Sequence, residues 1–133
     1  MFKALTPKSI RPTFAKYSHG VEIPAGQRLV MTSGQLGVGP DDVIPDGAEA
    51  QAELCFSNIA AVLAEAGLGL RHIVKINAYV TDRTYMKAYM TVRDRLAGDP
   101  PPASTLMIVT GFTRPEFKVE IEVVAAAPEG DGT

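Results

Sequence analysis

From Lys118 to Val124 the chain alternates without a break, with Val119, Ile121 and Val123 on one side and Lys118, Glu120 and Glu122 on the other. A period of two with one dry side is the signature of a strand, whose charged face must meet either water or a site. Just ahead of it, Ala103–Thr110 is short, rich in apolar and β-branched residues and bounded by turn-formers, which predicts a buried strand. Pro100-Pro101-Pro102 closes off whatever comes before. The break Gly111-Phe112-Thr113-Arg114-Pro115-Glu116 is short enough to join the two strands as a hairpin.

Earlier in the chain the period changes to that of helices. Cys55, Ile59, Val62, Leu63 and Ala66 form one stripe within a helix predicted over Ala48–Ala66, with Asp46 or Gly47 to cap it and Gly67 to end it. Alternation returns over Ile73–Thr81, where Val74, Ile76, Ala78 and Val80 oppose Lys75, Asn77, Tyr79 and Thr81. A second helix starts at Tyr85, carries Tyr85, Met86, Tyr89, Val92, Arg93 and Leu96 near one stripe, and stops at Gly98-Asp99-Pro100. Nearer the N-terminus, Tyr17–Ile23 and Arg28–Ser33 look extended, and the turn Pro24-Ala25-Gly26 predicts that they pair as a hairpin. The sum is an α+β domain with two helices on one face of a mixed, mainly antiparallel sheet.

Length makes that one domain: 133 residues are too few for two good cores. Residues 1–133 are read as a single unit, with an arm over 1–13 interrupted by Pro7 and Pro12, and a tail over 128–133 that frays. A composition of 46% apolar and 21% charged residues is ordinary for a soluble protein. No apolar run approaches the ~20 residues of a membrane span, no leader pattern opens the chain, and a single cysteine, Cys55, allows no internal disulfide. A cytoplasmic protein without membrane contact is expected. A net charge of −2 and a pI near 5.6 argue against nucleic-acid binding, which needs a basic face. His19 and His72 lie far apart with no ligand spacing, so no metal site is predicted. The polar faces of the 73–81 and 118–124 strands also carry Tyr79, Val124 and Ala126, a half-dry surface of the kind that a second copy of the chain covers.

Several short motifs stand in a telling order: Tyr17-Ser18, Ser33-Gly34-Gln35, Ala64-Glu65-Ala66-Gly67, Ile73-Val74-Lys75 with Thr81-Asp82, Pro102-Ala103, and Arg114-Pro115-Glu116-Phe117 leading into Val119-Glu120-Ile121-Glu122. In that order and spacing the chain resembles the RidA (YjgF) family of reactive-intermediate deaminases over nearly all of residues 14–127. The resemblance implies a chorismate-mutase-like fold and a homotrimer whose sheets form a barrel, with clefts between subunits. It also implies, for the enzymatic members, hydrolysis of 2-imino or enamine acids to 2-keto acids and ammonia without metal or cofactor. On this resemblance the glutamate that orients the attacking water falls on Glu120, and the tyrosine and glycine of the cleft fall on Tyr17 and Gly34. An asparagine of the second helix falls on Tyr89.

The family's arginine, directly after Pro-Ala, grips the substrate carboxylate, a task suited to a bidentate fork. Here that position is Ser104, and the cysteine that often follows two places later is Leu106. A hydroxyl brings neither the charge nor the paired donors, so the resemblance points to a subgroup without the arginine. Arg114, ahead of Pro115, is a minor candidate to replace the charge. Two readings stay open: a deaminase-type hydrolase of small imine, carbonyl or carboxylate metabolites with Glu120 at its centre, or a non-catalytic ligand-binding or protein-protecting oligomer. Ribonuclease or translation inhibition, attached to some family members by name, is a third and weaker one.

Overall fold

The computed structural model describes residues 2–130 of the chain. Strand β7 (Val119–Pro128) is its spine, because a ten-residue strand with alternating burial can accept partners on both edges. Numbered in chain order, β1 is Lys3–Leu5, β2 Gly20–Glu22, β3 Gln27–Met31, β4 Gln35–Leu36, β5 Ile73–Val80 and β6 Ala103–Ile108; the helices are α1 (Ala48–Ala64) and α2 (Met86–Leu96). The main sheet has the order β3-β7-β5-β6, and β4 continues along β7 beyond the end of β3. Strands β3, β4 and β5 run antiparallel to β7, whereas β5 and β6 are parallel. Parallel neighbours need a crossover, and α2 provides it.

Both expected hairpins are replaced by longer-range pairings. The 17–23 region does not pair with β3: β2 joins β1, inside the segment expected to be an arm, and β3 joins β7. Likewise β6 does not fold back on β7, since β5 lies between them. As the outermost strand, β6 leaves Thr105, Met107 and Ile108 exposed, so it is an edge strand rather than a buried one. Short connections suggest hairpins, but the apolar faces of β5 and β7 complete the core only when they lie side by side.

Two helices cover one face of the sheet, as the periodicity predicts. Helix α1 buries Ala48, Gln51, Ala52, Cys55, Phe56, Ile59 and Leu63 against Val119, Ile121, Val123 and Ala125 of β7, with Tyr89 and Val92 of α2 in the same core. Val62 of the predicted stripe is 39% exposed, displaced outward by Phe56 and Ala52 on the true buried arc. Gly47 caps α1 without a side-chain bond, and Gly67, at φ 75°, turns the chain out of it. An irregularity in the pairing between Ile73 and Lys75 lets Ile73 join the core face, so Val74 does not. Pro128 ends β7, and residues 131–133 of the expected tail lie outside the described residues.

One buried polar side chain ties these parts together. Gln51, with no exposure, donates Nε2 to the carbonyls of Pro45 and Glu116 at 3.0 and 2.9 Å and accepts Lys118 N at 2.8 Å. It thereby fixes the loop before α1 to the approach of β7, just ahead of Glu120.

Candidate functional site

Alternation along β7 sends Glu120 and Glu122 to the face of the sheet that the helices leave uncovered. Across on β5, Asn77 stands opposite Glu122 and Tyr79 opposite Glu120. The Tyr79 hydroxyl nevertheless reaches diagonally, donating to Glu122 Oε1 at 2.8 Å. The carboxylate of Glu120 rests instead on the backbone just before β4. A Cβ added at Gly34 would stand 2.6 Å from Glu120 Oε2 and 2.8 Å from its Cδ, so only a glycine lets the chain pass this close. Burial, and then the charge of Glu122, push the Glu120 carboxyl above its ordinary pKa. Tyr79 is raised too, chiefly by donating to Glu122. The lysines nearest in sequence to this face are occupied elsewhere: Lys75 Nζ donates to Thr105 Oγ1 at 2.9 Å, and Lys118 Nζ meets Asp46 Oδ1 at 3.4 Å. The same face exposes Leu29, Met31 and Met107.

Ser104 lies on the other side of the sheet. Its register partner is Ile76, a core residue, so the hydroxyl points toward the helices. There it neighbours Tyr89, which is 0% exposed and has Arg93, 3% exposed, one helical turn on. The Arg93 guanidinium lies 5.6 Å from the Tyr89 ring centre. Burial raises the Tyr89 phenol, while Arg93 and Ser104 pull it back down. Although the Ser104 hydroxyl is close enough to act on the phenol in this way, neither oxygen has hydrogen-bonding geometry with a partner among the described residues. The same is true of Arg93 Nη2. Arg93 Nε donates to Asp94 Oδ1 at 3.0 Å; Nη2 lies 3.0 Å from that oxygen but its N–H bonds are not aimed at it.

The structure thus splits the sequence candidates in two. Gly34 and Glu120 come together on the open face; Ser104 and Tyr89 come together beneath the opposite face. Tyr17 belongs to neither contact set, with its hydroxyl accepting Phe14 N at 3.4 Å and its ring edge-on to His19. Its neighbour Ser18 does bridge to Ala103 and bonds the carbonyls of Pro101 and Pro102, which places this segment beside the start of β6. Leu106 packs against the core, and Arg114 is held by Asp42 at 3.3 Å. Cys55 is buried with its thiol pushed up to about 12 by desolvation, then by Glu120, so it is no nucleophile. His19 bonds Arg11 O and His72 accepts Gly69 N; among the described residues no group of three or more His, Cys, Asp or Glu could hold a metal ion.

Sequence reasoning left Arg93 near the apolar stripe of the second helix without a partner; the structure buries it there beside Asp94.

Comparison with known proteins covers nearly the whole chain. The model of the endoribonuclease L-PSP family matches residues 8–127. The RutC family protein YjgH of Escherichia coli is 30% identical over 128 residues, which is 95% of each chain. TdcF of the same organism, which bears the words reactive intermediate deaminase in its name, is 30% identical over 114 residues, or 82% of this chain and 84% of its own. Among solved structures, RidA from the Antarctic bacterium Psychrobacter sp. PAMC 21119 superposes with a TM-score of 0.70 at 28% identity, over 94% of this chain and 99% of that one.

Proposed function

The chain belongs to the endoribonuclease L-PSP family, the RidA/YjgF proteins, and from that premise we propose that it is a homotrimer whose intersubunit clefts bind a small imine or enamine, carbonyl or carboxylate metabolite and hydrolyse the imine. The observation that carries this reading is Glu120 seated on Gly34 at an uncovered sheet face, with its proton affinity raised by burial and by Glu122. A carboxylate of that kind is a better base than one in free solution.

The chemistry is hydrolytic and balances without a metal or cofactor. Glu120 accepts a proton from water as the water oxygen bonds to the imine carbon, and the C=N electron pair moves to nitrogen. The proton then passes from Glu120 to that nitrogen; Glu120 next takes the hydroxyl proton and delivers it to the same nitrogen as the C–O bond becomes C=O, and ammonia leaves with the C–N electron pair. Tyr79, by donating to Glu122, keeps that second carboxylate in place beside the first.

Two features favour an assembly. Leu29, Met31 and Met107 leave on the Glu120 face an apolar surface of the sort that partners cover. Moreover Glu120 and the Ser104–Tyr89 pair occupy opposite faces of one sheet, so a small molecule touching both needs two copies of the chain. Within the cleft Gly34 offers its backbone, and Tyr17, Ser104 and Tyr89 line the wall. No helix among the described residues is long and apolar enough to cross a membrane, and the reading keeps the protein in the cytoplasm.

One observation favours a second reading, a ligand-binding oligomer without turnover: position 104 holds a buried hydroxyl where an arginine would bring charge. Ammonia release decides between them. Imines made in situ by an amino acid oxidase from simple amino acids are offered to the wild-type chain and to Glu120→Gln. We expect turnover by the wild type and a loss of about 10²–10⁴-fold in the variant. Equal rates for the two chains, or a monomer at micromolar concentration, would overturn the proposal.

A further inference from the structure

We propose that a cavity away from the cleft, between the short 3-10 turn Leu70–His72 and the segment that leaves α2, binds a free α-amino acid with an apolar side chain. The cavity has a volume of about 270 Å³, just under the roughly 300–1,000 Å³ of sites that take drug-sized ligands, which suits a small metabolite. Much of its wall is apolar, built from the Phe2 ring, Ile73, Pro100 and Ala126. It is separate from the carboxylates of the open face, because Ala126 lies six residues beyond Glu120 on β7, roughly 20 Å along the strand.

Two opposite charges line this cavity from different parts of the chain. Arg71 belongs to the turn before β5 and Asp99 to the segment after α2. Gly98 brings the two backbones together, since a Cβ there would stand 3.8 Å from Arg71 O. Both charged residues are exposed, and no ion pair or side-chain hydrogen bond occupies either among the described residues. They share one opening without neutralising each other. His72, the buried polar residue of the wall, is engaged through Nδ1, which accepts Gly69 N at 2.9 Å. A simple anion would meet Arg71 but also face the carboxylate of Asp99, and a simple amine would meet the reverse. A zwitterion answers both charges. Its carboxylate takes the paired donors of the guanidinium, its ammonium takes the Asp99 carboxylate, and its side chain lies against Phe2, Ile73 and Ala126.

The test uses L-leucine and two analogues with one charge each, read by titration calorimetry and thermal shift on the full chain. We expect the wild type to bind L-leucine. It should bind 4-methylpentanoate, which lacks the amine, and 3-methylbutylamine, which lacks the carboxylate, about tenfold more weakly or worse. Glycine, with no side chain for the apolar wall, should also fall behind leucine. Arg71→Met should lose leucine about tenfold or more and bind 3-methylbutylamine no worse than the wild type does. Asp99→Asn should lose the preference for leucine over 4-methylpentanoate. Both substituted side chains are exposed, and a merely structural role for either would shift the melting temperature without changing these preferences. Glu120→Gln, and Ser104→Trp in the cleft wall, should bind leucine as the wild type does. Absence of leucine binding by the wild type, equal binding of either analogue, unchanged preferences in folded Arg71→Met and Asp99→Asn, or loss of leucine binding in folded Ser104→Trp would each overturn the inference. If imine turnover fails while the leucine preference depends on Arg71 and Asp99, the hydrolytic reading falls and the amino acid site stands.

Discussion

On the open face of the sheet, Glu120 and Glu122 sit two residues apart with a tyrosine hydroxyl on one of them and a glycine backbone against the other. Under the opposite face, Tyr89 lies between Ser104 and Arg93, whose guanidinium is paired with Asp94 at 3.0 Å. The first cluster is acidic, half wet and held by backbone pairing; the second is buried, has its one arginine paired with a carboxylate, and is held by helix packing. What the difference teaches is how one sheet treats charge: carboxylates on the uncovered face keep contact with water, whereas an arginine under the helices stays charged because a carboxylate lies beside it. A strand separates the two by sending successive side chains to opposite faces, so one protomer cannot bring them onto the same small molecule.

Removing the common support should break both sides at once. Gln51→Leu leaves the carbonyls of Pro45 and Glu116 and the N–H of Lys118 without their partner, and we expect a loss of about 3 kcal/mol in urea unfolding. Narrower is Gly34→Val, which forces the Glu120 carboxylate off its seat. Turnover should fall roughly a hundredfold, as misplacement of a reacting group by about 1 Å can do. Next comes Glu122→Gln. It removes the second cause of the raised Glu120 pKa, so the acid limb of the rate against pH should move to lower pH, with a smaller change in the maximum.

The smallest effect is on stability. Because the Glu120 carboxyl holds its proton more tightly when folded, stability is full below the ordinary glutamate pKa and declines as pH rises through the raised folded value. Glu120→Gln should therefore unfold at higher denaturant than the wild type at neutral pH, by under about 1 kcal/mol, and the gap should close on acidification.

How much of this was legible beforehand differs between the clusters for a physical reason. A period of two is unambiguous, so the sequence already shows Glu120 and Glu122 sharing a face and Val119, Ile121 and Val123 sharing the other. The resemblance alone nominates Gly34, and the close approach of Glu120 shows why a glycine stands there. The pairing of strands was not legible. Loop length favours the nearest strand in sequence, whereas β5 lies between β6 and β7 because the core needs its apolar face there. The same uncertainty hid the second cluster. That Ser104 points toward Tyr89 follows from its register opposite Ile76, which no pattern in residues 103–110 encodes. Arg93 was visible only as a charge on an apolar stripe.

Mixed trimers test the central claim most directly. Glu120→Gln and Ser104→Trp chains, the second with a ring that blocks the cleft wall and each expected to be inactive, are co-refolded in equal amounts and assayed for imine hydrolysis. If the base of one protomer works against the cleft wall of its neighbour, about a quarter of the sites in random mixtures regain both groups and turnover returns to that level. Mixtures as inactive as their parents, with assembly confirmed by mass, would contradict the account.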